Sequence, residues 1–168
     1  MKNAIGIDIG GTGIKGALVN LKKGELATDR IRFDTPDGGK PESVVETVIK
    51  LVKQIDAPKD TPIGICFPAP VKNGVTLSAA NVSDEWIGLK AAKLFSKALG
   101  SEVVLLNDAD AAGIAEIKFG AGQDRKGLVL MCTLGTGIGT ALFMNGKLIP
   151  NTELGHIEID GVDYETKA

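Results

Sequence analysis

The apolar positions along the 168-residue chain follow a strand-like pattern in several short stretches. These stretches are brief, rich in β-branched residues, and bounded by Gly, Pro or Asp, which is typical of strands. The predicted strands cover residues 4–9, 62–70, 102–108 and 127–135, with two more between residues 17 and 33.

Three other segments are interpreted as helices, and in the first of them, residues 42–55, the apolar residues recur at helical spacing. Helices are predicted over residues 42–55, 89–99 and 109–119, and Gly100 and Gly120 follow the last two as stop signals. Ser43 with Glu46 resembles a capping box at the start of the first helix. Strands that alternate with helices after an opening meander predict an α/β fold with a mixed sheet.

Composition narrows the class of protein. The chain is 43% hydrophobic but only 4% aromatic, which predicts an aliphatic core, and its net charge of −2 argues against nucleic acid as a partner. No apolar run reaches the length of a membrane span or a secretory leader. Cys66 and Cys132 lie singly in apolar runs, which indicates buried, reduced thiols and a cytoplasmic protein.

Residues 11–16 spell G-x-G-x-x-G, the pattern of a dinucleotide-binding turn. That function requires a helix to begin at the turn, so that the pyrophosphate lies at its N-terminus. The residues that follow show no helical apolar period and instead indicate strand, turn, strand. The dinucleotide interpretation is therefore rejected.

The glycine-rich stretch is repeated later in the chain. Residues 11–26 resemble residues 135–149, and in the second copy Asn145-Gly146 predicts a type I′ hairpin turn. Further strands and helices follow the first copy, whereas the chain stops soon after the second. This asymmetry predicts a lobe over 1–120, the start of an incomplete second lobe over 121–168, and a fragment of a longer protein.

Two such turns suit the binding of a phosphate chain. Turns of Gly and Thr leave backbone N–H groups free to form an anion nest, and Thr12 and Thr136 add hydroxyl donors. Lys15 adds a charge, unless it points to solvent, and ordinary tight turns remain the alternative. Asp8, at the end of the first strand, suits a water-mediated Mg²⁺ beside phosphates, or a hydrogen bond to the turn amides.

Polar residues directly after the strand at 102–108 suit catalysis. Ligands of open α/β sheets gather at the carboxyl ends of strands, where Asn107 and Asp108 lie. Asp108 is the candidate base that takes a proton from a substrate hydroxyl, and Asp110 is the competing carboxylate. Helix capping is the alternative role for either aspartate.

A group of polar residues near the end of the chain is suited to bind a sugar. Glu153 and His156 are placed to hydrogen-bond a polyol, although a lone histidine is often structural. No cysteine or second histidine follows to complete a zinc site, so no protein-bound metal is predicted. Asn81 is a further candidate sugar ligand. Trp86 is interpreted as part of the core, and a wall on which the sugar stacks is the alternative.

Four motifs resemble the ROK-type sugar kinases of the hexokinase–actin superfamily. They are D-I-G-G-T-x-x-K at 8–15, L-N-D-A-D-A at 106–111, L-G-T-G-I-G at 134–139 and E-L-G-H at 153–156. The resemblance implies a ribonuclease H-like, actin–hexokinase-type α/β fold, built from a duplicated βββαβα unit of which the second is incomplete here.

The same resemblance implies site residues. For the phosphoryl donor they are Asp8, Gly10, Gly11, Thr12, Lys15, Gly135, Thr136, Gly137 and Gly139. Asp108 corresponds to the catalytic base, and the sugar-binding residues are Asn81, Asn107, Asp108, Glu153 and His156.

Further stretches, such as A-A-N-V-S-D-E-W-I-G at 79–88, are similar to the polyphosphate-using glucokinases of that family. This implies transfer of a phosphoryl group from polyphosphate or ATP to the 6-hydroxyl of glucose, with Mg²⁺ and without the zinc site of other members. It also implies glucose as a partner, a homodimer at full length, and an isolated chain that is inactive or crippled. No nucleic acid or membrane partner is expected from the composition.

Three alternatives remain open. An ATP-only hexokinase for another hexose is the nearest. A non-catalytic sugar-sensing regulator would carry an N-terminal DNA-binding domain, for which the start of the first strand at residue 4 leaves no room. An actin-like filament ATPase would have no use for the Glu153/His156 and Asn107/Asp108 pairs.

Overall fold

The computed structural model describes residues 2–79, 81–135 and 137–163. The chain forms two compact units, Met1–Asp108 and Ala109–Ala168. The lobes 1–120 and 121–168 stay a prediction, because compactness within this chain does not define the lobes of a longer protein.

Most strands of the first unit form one mixed sheet. In chain order they are β1 (Asn3–Ile9), β2 (Gly13–Asn20), β3 (Glu25–Leu26), β4 (Ile31–Asp34), β5 (Ile63–Phe67), β6 (Val71–Lys72), β7 (Val75–Thr76) and β8 (Val103–Asn107). The sheet order is β3-β2-β1-β5-β8, with β4 also paired to β2, while β6 and β7 form a separate hairpin. β1, β5 and β8 run parallel and β2 runs antiparallel to β1, so the mixed sheet predicted from the sequence is confirmed.

Two helices cover the core of this unit. They are α1 (Pro41–Ile55), which contacts β1, β2 and β4, and α2 (Ala91–Leu99), which contacts β8. Burial of alternate apolar side chains, such as Ile7 and Ile9 on β1, against these helices provides the main stabilising term.

The core is mainly aliphatic, as predicted, and a small group of aromatic side chains packs within it. Trp86 is fully buried, lies 4.7 Å from Phe67 and 5.8 Å from Phe95 between ring centroids, and donates a hydrogen bond from Nε1 to the Gly39 oxygen at 2.8 Å. The interpretation of Trp86 as core filler is confirmed.

The residues at the ends of α1 and α2 show which of the predicted start and stop signals are present. α1 begins with Lys40 as the N-cap and Pro41 in the first turn, and Ser43 Oγ donates back to the Lys40 oxygen at 3.1 Å. The capping box predicted at Ser43 and Glu46 is therefore wrong, because Pro41 starts the helix earlier. α2 ends as predicted at Gly100, whose φ of 65° only glycine adopts readily.

The second unit is smaller. It contains α3 (Asp108–Phe119, beginning at the last residue of the first unit), β9 (Leu128–Leu134), β10 (Ile138–Met144), β11 (Lys147–Ile149), β12 (Glu158–Ile159) and β13 (Val162–Asp163). The order β11-β10-β9 is antiparallel. Asn145 and Gly146 have φ of 51° and 76°, which confirms the type I′ turn.

One helix packs closely on this small sheet. A Cβ added at Gly113 of α3 would lie 2.6 Å from the Ala141 Cβ and 2.8 Å from the Phe143 ring, so only glycine permits this approach.

The strand β9 has an exposed apolar face, which includes Leu128, Leu130 and Leu134. Cys132 on the same strand is exposed as well, and Cys66 on β5 is partly buried. The prediction of buried thiols is therefore wrong for Cys132 and holds only in part for Cys66.

Within the described residues, no helix combines the length and the apolar character that crossing a membrane requires.

Candidate functional site

The first glycine-rich loop, residues 10–13, joins β1 to β2. The Gly10 amide donates to the Gly13 oxygen at 3.0 Å, and Thr35 Oγ1 donates to the Gly10 oxygen at 2.5 Å. A strand follows the loop, which confirms that no dinucleotide-binding helix begins there. Gly11 and Thr12 are exposed at the tip. The loop is thus a fixed turn whose tip is open to a ligand.

A row of charged side chains crosses the sheet beside this loop. Asp8 pairs with Lys15 on β2, and Lys15 pairs with Arg32 on β4, so the three side chains share one face. Lys15 Nζ lies 3.7 Å from Asp8 Oδ2. Arg32 donates from Nη2 to the Thr12 oxygen at 3.1 Å and from Nη1 to Asp34 at 2.7 Å.

Sequence reasoning missed Arg32. It lies inside a segment predicted only as strand, and nothing in its neighbouring residues signals a function. Only the pairing of β4 with β2 brings its guanidinium against the glycine loop. Guanidinium is a good phosphate ligand, so this cation adds to the positive charge at the loop.

The carboxyl ends of β1, β5 and β8 bring two aspartates to one edge of the sheet. Asp8 lies opposite Cys66, and Phe67, the next residue, lies opposite Asn107. Burial, and then the negative charges of Asp8 and Asp108, raise the pKa of Cys66 to about 12. Asp8 and Asp108 therefore both lie near this thiol.

The two polar residues at the end of β8 differ in exposure. Asn107 is buried, whereas Asp108, the first residue of α3, is exposed. An exposed carboxylate at a strand end is open to a substrate hydroxyl, as a general base must be.

Asn81 lies against the tip of the first glycine loop. A Cβ at Gly11 would be 3.0 Å from the Asn81 oxygen and 3.1 Å from its Cβ. A cavity of about 330 Å³ opens here, within the size range of small-ligand sites. Its lining is Gly11, Thr35, Pro36, Asp37, Gly38, Gly39, Asn81 and Val82.

The second glycine-rich loop joins β9 to β10. Leu134 pairs with Ile138, and the Gly135 amide donates to the Gly137 oxygen at 3.0 Å. In the first loop Ile9 pairs with Ile14, so the repeated G-T-G-I sequence closes hairpins of different length. Gly139 follows on β10, where a Cβ would clash with Thr133. Thr136, the hydroxyl donor predicted here, lies outside the described residues.

Glu153 and His156 form a close pair in the second unit. Their side chains approach to 3.9 Å, between Oε2 and Nε2, and both are partly exposed. The Leu154 amide donates to Thr140 Oγ1 at 2.9 Å, and the Asn151 amide donates to Asp110 Oδ2 at 2.9 Å. Glu153 and His156 thus belong to one loop that buried side chains hold.

Asp110, the carboxylate that competes with Asp108, is buried, with 2% of its surface exposed. Burial raises the pKa of Asp110, and the hydrogen bond from the Asn151 amide opposes the rise. Its position in the interior is unsuited to contact with a substrate hydroxyl.

No group of three or more His, Cys, Asp or Glu side chains gathers to hold a metal ion among the residues with a described placement. The half-exposed Asp8 carboxylate fits a magnesium ion held through water beside phosphates, since Mg²⁺ commonly keeps several waters. The larger cavity of about 930 Å³, along α3 and β9, contains none of the predicted site residues.

Known proteins resemble this chain closely. The polyphosphate glucokinase of Mycobacterium leprae (strain TN) is 49% identical over 164 residues, which cover 97% of this chain and 50% of that protein. The polyphosphate glucokinase of Mycobacterium tuberculosis (strain ATCC 25177 / H37Ra) is 45% identical over 168 residues, 99% of this chain and 63% of the relative. The chain thus spans half to somewhat under two thirds of these curated relatives.

Solved structures of sugar kinases resemble this chain as well. The inorganic polyphosphate/ATP-glucomannokinase from Arthrobacter sp. strain KM has a TM-score of 0.96 and 51% identity, covering 100% of this chain and 68% of that one. The ROK family glucokinase from Streptomyces griseus, in complex with glucose and AMPPNP, has a TM-score of 0.78 and 30% identity, covering 94% and 51%. These likenesses confirm the predicted ribonuclease H-like, actin–hexokinase-type α/β fold.

Residues 4–167, nearly the whole chain, match the ROK family. The chain therefore belongs to the ROK family.

Proposed function

We propose that the complete protein transfers a phosphoryl group from inorganic polyphosphate or ATP to the 6-hydroxyl of glucose, giving glucose 6-phosphate. The observation that carries the proposal is the placement of Asp8 and Asp108 at the same edge of the sheet, at the carboxyl ends of β1 and β8 on either side of Cys66, whose pKa both carboxylates raise. The first glycine loop begins two residues after Asp8. Relatives named polyphosphate glucokinase at 49% and 45% identity support the choice of sugar and donor.

Asp108 acts as the general base. Its carboxylate accepts the proton of the sugar hydroxyl as that oxygen attacks phosphorus, and the bond from phosphorus to the bridging oxygen of the donor breaks. The shortened donor leaves with the electron pair of that bond. The exposure of Asp108 supports this role, whereas the burial of Asp110 argues against Asp110 as base.

Backbone amides and cations bind the donor. In the first unit these are Gly10, Gly11, Thr12 and Lys15, with Arg32 beside them. In the second unit they are Gly135, Thr136, Gly137 and Gly139. Such donors neutralise charge on the phosphates as the bond breaks. Asp8 would hold Mg²⁺ through water, and the ion would supply further positive charge to the donor.

Sugar hydroxyls are bound by Asn81, Asn107, Glu153 and His156. Asparagine amides both donate and accept hydrogen bonds, the Glu153 carboxylate accepts them, and the His156 ring offers a donor, so together they match the hydroxyls of a polyol. Mannose is a second candidate sugar, because one structural relative is named a glucomannokinase. An ATP-only hexokinase remains the alternative for the donor.

We further propose that the complete protein is a cytoplasmic homodimer without a nucleic acid or membrane partner. The two cysteines, which form no disulfide, suit a reducing compartment, and the net charge of −2 does not favour nucleic acid. Sedimentation of the complete protein tests the dimer, since a single species of monomer mass would contradict it.

An assay of the complete protein with glucose, polyphosphate and no nucleotide tests the activity. Glucose 6-phosphate is the expected product, and Asp108→Asn is the control. Product with ATP alone would assign the ATP-only hexokinase. Glucose binding without product from either donor would instead indicate a non-catalytic sensor.

A further inference from the structure

We propose that Asp110 is a positioning residue that holds Glu153 and His156 in place for the sugar, by binding the Asn151 amide. This inference rests on the sugar-binding role in the proposed function. All the groups involved belong to the second unit, within residues 109–168.

The loop that carries the pair has an unusual backbone. Asn151 and Glu153 have φ of 55° and 44°, in the left-handed region that side chains other than glycine seldom adopt. Such conformations cost free energy and persist only where surrounding contacts determine them. Glu153 therefore needs anchors to keep its orientation.

Two buried side chains provide anchors on either side of Glu153. Asp110 Oδ2, on α3, accepts from the Asn151 amide at 2.9 Å, and Thr140 Oγ1, on β10, accepts from the Leu154 amide at 2.9 Å. Asp110 is 2% exposed and Thr140 is 5% exposed. Since α3 and β10 pack closely at Gly113, the anchors sit on rigid elements.

The anchors reach both members of the pair. The His156 amide donates to the Glu153 oxygen at 3.1 Å, and the two side chains are 3.9 Å apart. A shift of the backbone at Glu153 therefore also moves His156.

The residue that binds the Asn151 amide is a carboxylic acid, Asp110, although it is buried. Burying a carboxylate is costly unless it is hydrogen-bonded, and a charged acceptor forms a stronger bond with an amide than a neutral one does. A carboxylate that accepts a hydrogen bond from the loop backbone is therefore suited to hold that loop in its strained conformation. Because Asp110 is buried, it acts through Glu153 and His156 rather than on the reacting hydroxyl.

Substitutions in the complete protein separate this role from catalysis. Asp110→Leu keeps a similar shape and removes the acceptor, so we expect the KM and Kd for glucose to rise about tenfold or more, with kcat within about threefold. Asp110→Asn keeps an oxygen that can accept from the Asn151 amide, so glucose affinity should return to within about threefold of the unsubstituted protein.

Thr140 gives a matched second test. Thr140→Val removes the other anchor and should weaken glucose binding in the same way, whereas Thr140→Ser should not. Because both anchors hold one loop, the effects of Asp110→Leu and Thr140→Val should not add. If Asp110→Leu fails to fold, Asp110→Asn and Thr140→Val still carry the test.

Hydrogen–deuterium exchange provides a readout that needs no activity. Amides of residues 151–156 should exchange about tenfold faster in Asp110→Leu and Thr140→Val. Unchanged exchange and unchanged glucose affinity in both variants would overturn the inference, as would loss of kcat in Asp110→Asn at unchanged glucose KM. If the unsubstituted protein neither binds nor phosphorylates glucose, the proposed function fails and the sugar part of this inference fails with it, while faster exchange would still support the holding of the loop.

Discussion

Asp8 and Cys66 lie directly opposite each other on the neighbouring parallel strands β1 and β5. The Asp8 carboxylate and the Asp108 carboxylate both add to the effect of burial on the Cys66 thiol. The reactivity of Cys66 therefore depends on the charges of Asp8 and Asp108, to which the proposed function assigns roles.

The first prediction concerns the reactivity of this thiol. A pKa of about 12 instead of 9.0 lowers the thiolate fraction about a thousandfold at neutral pH, and the thiolate is the species that alkylating reagents attack. We expect iodoacetamide to label Cys66 at least that much more slowly in the folded protein than in guanidinium, as peptide mass spectrometry would measure.

Asp8→Asn removes one of the charges and should speed labelling of Cys66. Asp60→Asn is the matched control, because exposed Asp60 precedes β5 at the opposite edge of the sheet. Equal labelling rates in the two variants would contradict the placement of Asp8 beside the thiol.

The second prediction is an alkaline loss of stability. Between pH 9.0 and about 12 the unfolded chain releases the Cys66 proton and the folded chain keeps it, so the free energy of unfolding falls as the pH rises. Below pH 9.0 this contribution to the pH dependence is absent. Urea unfolding from pH 8 to 11 should show a shallower fall for Cys66→Ala than for the unsubstituted protein.

Cys132→Ala is the control for that series, because Cys132 is exposed. A fall of the same steepness in Cys66→Ala and in the unsubstituted protein would exclude Cys66 as its source.

The third prediction tests the base. Asp108→Asn keeps a residue suited to the start of a helix but cannot take a proton, so we expect kcat to fall by roughly 10²–10⁴ with the glucose Kd within about threefold. Asp110→Asn makes the same chemical change two residues away and should keep kcat. Near-normal turnover in Asp108→Asn would reject Asp108 as the base.

The fourth prediction concerns the close approach of Gly11 to Asn81. Gly11→Ala would place a Cβ 3.0 Å from the Asn81 carbonyl oxygen, so one of the two segments must move. We expect weaker glucose binding by calorimetry, of the order of tenfold, since Asn81 is a proposed sugar ligand. Gly64→Ala is the control, because a Cβ there meets nothing within 4 Å. Equal glucose affinity in the two variants would remove Asn81 from the sugar site.

The strands and helices were predictable because burial imposes a period on the sequence. The helix predicted over 42–55 occurs as Pro41–Ile55, and the strand predicted over 127–135 occurs as Leu128–Leu134. The carboxyl ends of strands likewise indicated where Asp8, Asn107 and Asp108 would lie.

Features that depend on partners in space were not predictable. An apolar run does not say which face of β9 is covered, so Cys132 was wrongly expected to be buried. Arg32 reaches the first glycine loop only through strand register, and Asp110 meets Asn151 across 41 residues of chain. The roles of the site residues and the joint action of the two glycine loops stay predictions.

The indole of Trp86 has a consequence for ligand affinity. Both Trp86 Nε1 and the Ser83 amide donate to the Gly39 oxygen, which ties the segment after Asn81 to the wall of the small cavity. A molecule that binds in this cavity would meet a wall that these hydrogen bonds already hold in place. Less conformational freedom is then lost on association, which lowers the free-energy cost of binding a small molecule there.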